Sequence, residues 1–290
     1  MGPILVIYFF MKNKKYFLIF SIVSAGVLFS ILLGLCFLKG VNFLNVYFLN
    51  VGQGDSVLIR TPEHRNILID GGPDNLVLHR LGEVLPFYIR RLDYIIVSHF
   101  HDDHISGLIE ILKRYQVKKI IFAFPNTSSD IYSPLAVTFF KEIENKNISI
   151  IEIKNTASLH LDSYCDLFFI NSGSLKIKNN DNNSLVAKLN CRGKTFLFAG
   201  DNEVEAEKAL VASSFDLKAD IFKASHHGSK TSNTEEFLKA VNPEKIIISV
   251  GHDNRFGHPS REVLERVISN KIEVIRTDVL GTIHILANIQ

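Results

Sequence analysis

Hydrophobic residues are distributed along this chain in two contrasting patterns, and the first is a single long block. Residues 16–38 form one uninterrupted apolar run that contains no charged side chain. At about 1.5 Å of rise per residue, a helix of that length reaches about 35 Å, which is enough to cross a bilayer core of about 30 Å. We therefore predict that one N-terminal transmembrane helix spans residues 16–38.

From about residue 40, short runs rich in β-branched and aromatic residues alternate with segments of helical periodicity. Strands are predicted over residues 45–50, 56–60, 66–69, 94–97, 119–122, 148–153, 167–170, 185–189, 195–198, 220–223, 245–249 and 273–276. Helices are predicted over residues 76–89, 107–115, 135–143, 204–211, 235–241 and 260–268. This order favours an α/β fold in which two sheets pack face to face with helices outside. The polar segment 171–184 is the predicted boundary between two halves.

Charge gives the apolar segment a predicted orientation. Lys12, Lys14 and Lys15 precede the run, and Lys39 follows it. By the positive-inside rule, the N-terminus is cytoplasmic and the rest of the chain lies outside the cell. A cleaved signal peptide is the alternative, but its apolar core is usually shorter, and no clear cleavage site follows this run. The predicted domains are residues 1–39, with the cell-membrane anchor, and residues 40–290, an extracellular body.

Composition limits the classes of function that the body can have. Of the 32 basic residues, four precede residue 40, where there is no acidic residue, which leaves 28 basic against 30 acidic residues in the body. An anionic substrate must then be held by local charge or by metal ions, not by a global positive field. Three cysteines in 290 residues exclude a disulfide-stapled scaffold, and we interpret them as small buried hydrophobes.

The strongest chemical signal is the string His99-Phe100-His101-Asp102-Asp103-His104, which follows the predicted strand 94–97. In an extended backbone, residues i and i+2 point to the same side, so His99 and His101 can share one ion. A chain reversal at Asp102 would bring Asp103 and His104 to a second ion. Imidazoles and carboxylates in this pattern suit Zn, Mn or Fe.

Further polar groups come directly after other predicted strands. They are Asp70 in an Asp-Gly-Gly sequence, Asp201 after Gly200, the pair His226-His227, and His258 before a proline. Because the carboxyl ends of strands collect at one edge of an α/β sheet, we expect these groups to converge on the histidine string.

Together these motifs resemble the metallo-β-lactamase superfamily. Within it, the similarity is greater to the extracellular hydrolase domain of ComEC-type DNA-uptake proteins, through segments 48–56, 183–186, 224–229 and 254–260. The resemblance covers about residues 44–287. It implies an αββα metallo-β-lactamase sandwich that carries two divalent metal ions, Zn or Mn, at one edge of the sheets.

The resemblance also implies a role for each candidate residue. The implied ligands are His99 and His101 for the first metal, Asp103 and His104 for the second, Asp201 as the bridge, and His226, with His227 as the alternative, as the late ligand of the second metal. Asp70 resembles the family's buried supporting aspartate. Gln53, Gly54 and Asp55 are expected to shape a turn near the site, in which Asp55 contacts metal or substrate or forms an Asx turn.

One position departs from the superfamily pattern, since a third histidine normally completes the first metal site. His160 is the only histidine in the expected interval, and we interpret it as structural because it lies within a strand-like run. The resemblance to ComEC-type proteins implies that an Asn/Ser segment replaces this histidine as a ligand. Here that segment contains Asp181, Asn183 and Ser184. Asp181 or Asn183 would then complete the first site.

The leading hypothesis is a membrane-anchored, metal-dependent phosphodiesterase or nuclease that acts on DNA outside the cell. Asp201 or Asp103 would accept the proton of the attacking water, and His258 would contact a phosphate, protonate a leaving group or only pack its loop. The resemblance implies nucleic acid as partner, and a separate channel protein if the chain works in DNA uptake. The alternatives are a hydrolase of a small ester, thioester or lactone, and a catalytically weak nucleic-acid-binding module.

Overall fold

The computed structural model describes residues 14–39, 43–124, 133–175 and 184–289 of the chain. Within them, the chain forms two separate compact units, an N-terminal helix and a body from Phe43 to Ile289. The helix, α1, is Lys14–Lys39. Its window Lys15–Leu32 has a mean hydropathy of 2.0 and is long and apolar enough to cross a membrane.

The body combines strands and helices in the α/β arrangement that the sequence predicts. The strands are β1 (Phe43–Phe48), β2 (Val57–Arg60), β3 (Asn66–Ile69), β4 (Arg91–Ile96), β5 (Gln116–Phe122), β6 (Ser149–Glu152), β7 (Thr156–His160), β8 (Cys165–Asn171), β9 (Leu185–Cys191), β10 (Lys194–Phe198), β11 (Ile221–Lys223), β12 (Lys245–Ile248), β13 (Glu273–Arg276) and β14 (Ile283–Asn288). The helices are α2 (Leu76–Val84), α3 (Asp102–Arg114), α4 (Pro134–Asn145), α5 (Val204–Ala212), α6 (Glu235–Val241), α7 (Arg261–Ser269) and α8 (Thr277–Leu280).

The strands form two mixed sheets of seven strands each. The first has the order β14-β1-β2-β3-β4-β5-β6 and the second β13-β12-β11-β10-β9-β8-β7. In the first sheet β3, β4, β5 and β6 are parallel, and in the second β10, β11, β12 and β13 are parallel. The remaining pairs are antiparallel hairpins or closures. The carboxyl ends of the parallel strands in each sheet therefore share one edge.

Apolar clusters hold these layers together as an αββα sandwich. One cluster fills the space between the sheets, with Val46 and Ile69 on one side and Phe169 and Leu189 on the other. A second joins the first sheet to α2, α3 and α4, and a third joins the second sheet to α5, α6 and α7. Strand β3 is buried at every position, because both of its faces are covered. The predicted fold class is confirmed.

The structure differs from the sequence prediction in several elements. β7, β14 and α8 were not among the predicted elements, and α3 begins at Asp102 rather than at residue 107. The chain passes from the first sheet to the second between β6 and β7, so the boundary lies before residue 156 and not within 171–184. That polar segment instead connects β8 to β9 inside one sheet, where polarity signals a loop but not a change of layer.

The interpretation of the cysteines as unpaired hydrophobes is wrong for two of them. Cys165 and Cys191 face each other across the antiparallel pair β8–β9 and form a disulfide bond. Directly opposed residues of antiparallel strands bring their Cβ atoms close together, and this cross-strand register is not visible in the spacing of two cysteines along the chain.

Candidate metal centre

The candidate site lies where four strands end on the same edge of the sandwich. The turn after β3 carries Asp70, and the loop between β4 and α3 carries the histidine string. Across from them, Asp201 follows β10, and the pair His226-His227 follows β11. β3 is parallel to β4 and β10 is parallel to β11. The polar residues that follow these strands therefore lie at the same edge of each sheet.

The carboxylate of Asp201 lies at the centre of the group. The Nε2 atom of His104 is 3.5 Å from its Oδ1 atom. The Nε2 atoms of His99, His226 and His227 lie 3.9, 3.8 and 3.7 Å from its Oδ2 atom. One buried carboxylate therefore faces four imidazole nitrogens contributed by two separate stretches of the chain.

A compact set of possible metal ligands is formed by Asp103, His104, Asp201 and His227, whose ligand atoms all lie within 4.8 Å of one another. The family resemblance favoured His226 over His227 as the late ligand of the second metal. The structure places His227, and not His226, in this set. Both residues have a positive φ, and this left-handed turn leaves the His227 side chain 2% exposed and that of His226 27% exposed.

His99 and His101 lie beside this compact set rather than within it. The ring centroid of His99 is 4.1 Å from that of His104 and 4.5 Å from that of His101. His101 is the N-cap of α3, with an extended backbone, and Asp103 and His104 lie in the first turn of that helix. The string thus contributes side chains to both sides of Asp201.

Several buried polar atoms of the site have no hydrogen-bond partner among the described residues. They include His99 Nε2, His104 Nε2 and Asp201 Oδ1. Leaving such an atom unsatisfied costs about 1–3 kcal/mol, and their convergence on one point is what a bound cation would compensate. Imidazole nitrogen and carboxylate oxygen are the donors that Zn and Mn accept. The residues therefore fit a divalent metal.

The carboxylates and imidazoles of the site shift one another's pKa values in opposite directions. Burial opposes ionisation of Asp201, but His104 and His227 outweigh it and hold the pKa of Asp201 well below its usual range. In Asp103, His227 and His104 likewise outweigh partial burial and lower the pKa. Burial disfavours a charged His104, but Asp201 and Asp70 raise its pKa well above the usual value.

Asp70 contacts the loop that carries the histidine string through Ser98 and His104. Its Oδ1 atom accepts a hydrogen bond from the backbone N–H of Ser98 at 2.8 Å, and its Oδ2 atom lies 2.6 Å from Ser98 Oγ and 2.8 Å from His104 Nδ1. Burial raises the pKa of Asp70 despite these partners. A carboxylate that holds one ring nitrogen of a histidine aims the other nitrogen at the metal.

Asp55 belongs to a buried ion pair and not to the Asx turn that was considered for it. It pairs with Lys223, and its Oδ1 atom lies 3.3 Å from His227 Nδ1. Burial opposes its ionisation, but Lys223 and His227 lower the pKa of Asp55 to about 2. His227 Nδ1 also donates to Ser249 O at 3.0 Å. Burial disfavours the charged ring, yet Asp55 and Asp201 raise the pKa of His227 to about 9.

Two glycines make room for this arrangement. A Cβ on Gly107 would lie 2.0 Å from Gly71 O, so α3 approaches the Asp-Gly-Gly turn more closely than any side chain permits. Gly200 has a φ of 55°, and a Cβ there would lie 2.6 Å from Ser184 Oγ. Positive φ and close approach are the two reasons for which glycine is required.

His258 lies at the rim of the site. Gly251 N donates to Gln53 Oε1 at 3.2 Å, which orients the Gln53 amide so that its Nε2 atom faces His258 Nδ1 at 3.5 Å. His258 Nδ1 then accepts, and its Nε2–H is left to donate. Burial and the neighbouring His227 lower the pKa of His258 to about 4, so the ring is neutral at pH 7.

The segment that was expected to replace the third histidine is described only from Ser184 onward. Asp181 and Asn183 lie outside the described residues. Ser184 is described, and its Oγ atom accepts from Asp201 N at 2.9 Å and lies 3.5 Å from His99 Nδ1. His160 is on the edge strand β7, with a side chain that is 72% exposed and 2.8 Å from Asp166.

The contacts that Ser98, Glu203 and Lys223 make with the candidate ligands were not predicted from the sequence. Lys223 ends a strand whose three residues are all buried, and a lysine that continues an apolar run directly before a ligand loop is the signal that could have identified it. Glu203 lies 3.3 Å from His226 Nδ1, and no local pattern indicates that contact.

Comparison with protein families agrees with this geometry. A family model of the metallo-beta-lactamase superfamily matches residues 49–124, which include the histidine string. The metallo-β-lactamase fold protein YhfI from Bacillus subtilis superimposes with a TM-score of 0.58 at 13% sequence identity, over 85% of this chain and 100% of YhfI. At that identity the likeness establishes the fold.

Two competence proteins are similar in sequence. ComE operon protein 3 from Bacillus subtilis (strain 168) is 32% identical over 257 residues, which are 82% of this chain and 32% of that protein. Competence protein ComA from Neisseria gonorrhoeae is 27% identical over 238 residues, which are 81% of this chain and 31% of that protein. The chain therefore spans about a third of the length of these relatives.

Proposed function

The chain is a metallo-β-lactamase-fold hydrolase related to competence proteins, and from that premise we propose that it is a membrane-anchored, metal-dependent phosphodiesterase that cleaves DNA outside the cell. The observation that carries the proposal is the single carboxylate of Asp201 faced by four imidazole nitrogens. This donor set suits two divalent ions of the Zn or Mn type on either side of one bridging residue.

Such ions, when bound, lower the pKa of water and neutralise the charge of a phosphodiester. This substrate class fits a body whose acidic residues slightly outnumber its basic ones. The attraction for the phosphate would then arise at the metal centre and not from a basic surface.

The protein's own groups would move the protons. Asp103 is the accessible carboxylate of the site, with a side chain that is 34% exposed, and Asp201 is buried beside it; either can accept the proton of the attacking water. His258 is neutral and carries a free Nε2–H, which suits a hydrogen bond to a phosphate oxygen better than donation of a full proton. Bound cations would lower its pKa further, so this role does not change when metal is present.

An exposed aromatic residue next to the site favours a nucleic acid over a small ester. The Phe256 side chain is 56% exposed, its ring centroid is 5.8 Å from that of His258, and the guanidinium of Arg255 lies 5.1 Å from the ring centroid. An aromatic face beside an arginine is the usual platform on which proteins stack unpaired bases.

Two observations support placement of the body outside the cell. Lys12, Lys14 and Lys15 precede the apolar run, in agreement with a cytoplasmic N-terminus. The disulfide between Cys165 and Cys191 is of a kind that persists mainly in oxidising compartments. We propose a single-pass protein of the cell membrane with an extracellular catalytic domain.

For the biological process, we propose that this chain takes part in DNA uptake, because its sequence is similar to competence proteins. The matched part is about a third of each competence protein. We propose that a separate channel protein, which would carry a strand across the membrane, is the partner of this chain.

The direct test uses the full chain purified in detergent and stripped of metal by a chelator. We expect cleavage of labelled single-stranded DNA after addition of Mn or Zn, and loss of cleavage in His101→Ala. His160→Ala, which removes an exposed histidine outside the site, should keep wild-type activity. The nucleolytic proposal fails if the wild-type chain with either metal cleaves neither DNA nor RNA; hydrolysis of a panel of esters, thioesters and lactones under the same conditions would then identify a small-molecule hydrolase.

A further inference from the structure

The segment Pro86-Phe87-Tyr88-Ile89, between α2 and β4, carries two aromatic side chains that face water. Phe87 is 86% exposed and Tyr88 is 72% exposed, which makes them the two most exposed large hydrophobic side chains of the described body. Ile89 N donates to Pro86 O at 2.8 Å, the hydrogen bond of a β-turn that has both aromatics at its tip. We call this segment the aromatic turn.

The aromatic turn is fixed at both ends by packing. Leu85, directly before it, is buried, and Ile89 packs against the apolar cluster that joins the first sheet to its helices. The rings of Phe87 and Tyr88 meet edge to face, with centroids 5.5 Å apart. Two large aromatic groups that a fixed backbone keeps in water indicate an interaction surface.

Basic side chains surround the aromatic turn. Arg90 and Arg91 follow it directly, and Lys118 on β5 is exposed as well. The side chains of Arg91 and Arg65 are 58% and 42% exposed, and each lies 3.5 Å from Asp93 Oδ1. Because Asp93 is itself buried, the groups that this cluster presents to a partner are aromatic and cationic.

The aromatic turn lies at the edge of the first sheet that is opposite the metal centre. Arg91 begins β4, and the other end of β4 leads into the histidine string. The six residues of β4, at about 3.3 Å each, place about 20 Å between those two ends. The aromatic turn is therefore not part of the surface that surrounds the catalytic groups.

The same edge is the one at which the chain enters the body. Asn45 of β1 pairs with Arg60, and Arg60 pairs with Asn66. Asn66 N donates to Asp93 Oδ2 at 3.1 Å, so β1 and β4 begin at one edge of the sheet. Only residues 40–42 separate the end of α1 from the start of β1. The helix that is apolar enough to cross a membrane is thus covalently joined to the edge that carries the aromatic turn.

We propose that the aromatic turn inserts into the surface of the lipid bilayer that α1 spans and holds the body there by its edge opposite the metal centre. Phe and Tyr side chains are favoured at the boundary between lipid head groups and acyl chains, and the neighbouring guanidinium groups suit the phosphates of the head groups. The metal centre would face away from the bilayer, where a polymer can approach it. The inference rests on the membrane anchor of the proposed function and is independent of the nuclease activity.

The experiment uses the absence of tryptophan from the chain, so that one introduced tryptophan reports on one position. Tyr88→Trp exchanges one exposed aromatic for another. The full chain is reconstituted into vesicles of phosphatidylcholine and phosphatidylglycerol in which a fraction of the lipid is brominated, either near the head group or near the end of the acyl chain. We expect a blue-shifted emission and stronger quenching by the bromines near the head group, since interfacial groups lie about 5–10 Å into the boundary region.

Two matched variants report on the anchor and on the opposite edge. Phe29→Trp, in the candidate membrane span, should be quenched most by the bromines near the end of the acyl chain. Phe256→Trp, at the exposed aromatic beside His258, should be quenched by neither lipid and should remain accessible to acrylamide in the water.

The outcomes separate failure of the inference from failure of the anchor. Quenching of Phe29→Trp without quenching of Tyr88→Trp would leave the anchor in place and overturn the inference. If neither position is quenched, the anchor and the inference fail together. Equal quenching of Tyr88→Trp and Phe256→Trp would show that the body has no preferred edge on the lipid, which also contradicts the proposal.

Other occupants of the aromatic turn are tested with the same variants in detergent and chelator, without vesicles. Addition of a single-stranded oligonucleotide should change the emission of Phe256→Trp and leave that of Tyr88→Trp unchanged. A change in Tyr88→Trp would assign the turn to nucleic acid, and a dependence of its emission on protein concentration would assign it to a second copy of the chain. Either result would refute the assignment to lipid.

Discussion

The buried pair of Asp55 and Lys223 makes a quantitative prediction about stability. Both side chains lie directly behind the ligand loop, with residue exposures of 4% and 2%. Lys223→Met keeps the volume of the side chain and removes its charge. Asp55 is then left buried with His227 as its remaining partner, and we expect the free energy of unfolding to fall.

The magnitude follows from two independent estimates. The pKa of Asp55 falls from 3.8 to about 2 in the folded protein, which corresponds to about 2 kcal/mol of stabilisation at neutral pH, part of it from Lys223. Removal of one partner of a buried pair typically costs about 3–5 kcal/mol. We therefore expect Lys223→Met to destabilise the metal-free protein by about 2–5 kcal/mol at pH 7.

The pKa of Asp55 also defines how the loss of stability in Lys223→Met should change with pH. Because the folded pKa of Asp55 lies below its unfolded value, its contribution is complete above about pH 4 and is lost as the pH falls through about 2. The difference between the wild type and Lys223→Met should thus be largest at neutral pH and shrink in acid, where Asp55 becomes protonated in both.

The assay is urea unfolding of the full chain in detergent and chelator, followed by far-ultraviolet circular dichroism because the protein has no tryptophan. Asp55→Asn and the double variant Asp55→Asn/Lys223→Met complete a cycle. We expect a coupling energy of about 2 kcal/mol or more. A coupling below about 0.5 kcal/mol, within the usual error of additivity, would refute the reasoning.

Three further predictions concern other parts of the molecule. Replacing Cys165 and Cys191 together by alanine opens a loop closed over 26 residues and should cost about 3–4 kcal/mol in chemical denaturation. Phe256→Ala should weaken binding of a single-stranded oligonucleotide by about 1–3 kcal/mol in fluorescence anisotropy, whereas Phe87→Ala, at another exposed aromatic, should not. Ser260→Ala removes the cap that accepts from Val263 N and should lower stability by about 1 kcal/mol in thermal melts.

Much of the fold was predictable because burial leaves a local record in the sequence. Covered strands leave short apolar runs in the sequence, such as residues 67–69 in β3 and 246–248 in β12, and the caps Thr234 and Ser260 precede their helices directly. β14 was not predicted because it comes from the far end of the chain and pairs with β1 at the edge of the first sheet. Its apolar and polar residues alternate only weakly. A strand of that kind is stabilised by its partner and not by its own pattern.

The sequence by itself determined that His99 and His101 share a side, since two residues apart in an extended chain they must, and that polar strand ends would gather at one edge of the sheets. Only the tertiary structure decided which of the adjacent His226 and His227 enters the compact ligand set, because a left-handed turn tied to Gly200 sets their directions. It likewise decided the pairing of Lys223 with Asp55 and of Cys165 with Cys191. Each of these depends on contact between segments far apart in the chain, which leaves no local pattern to read.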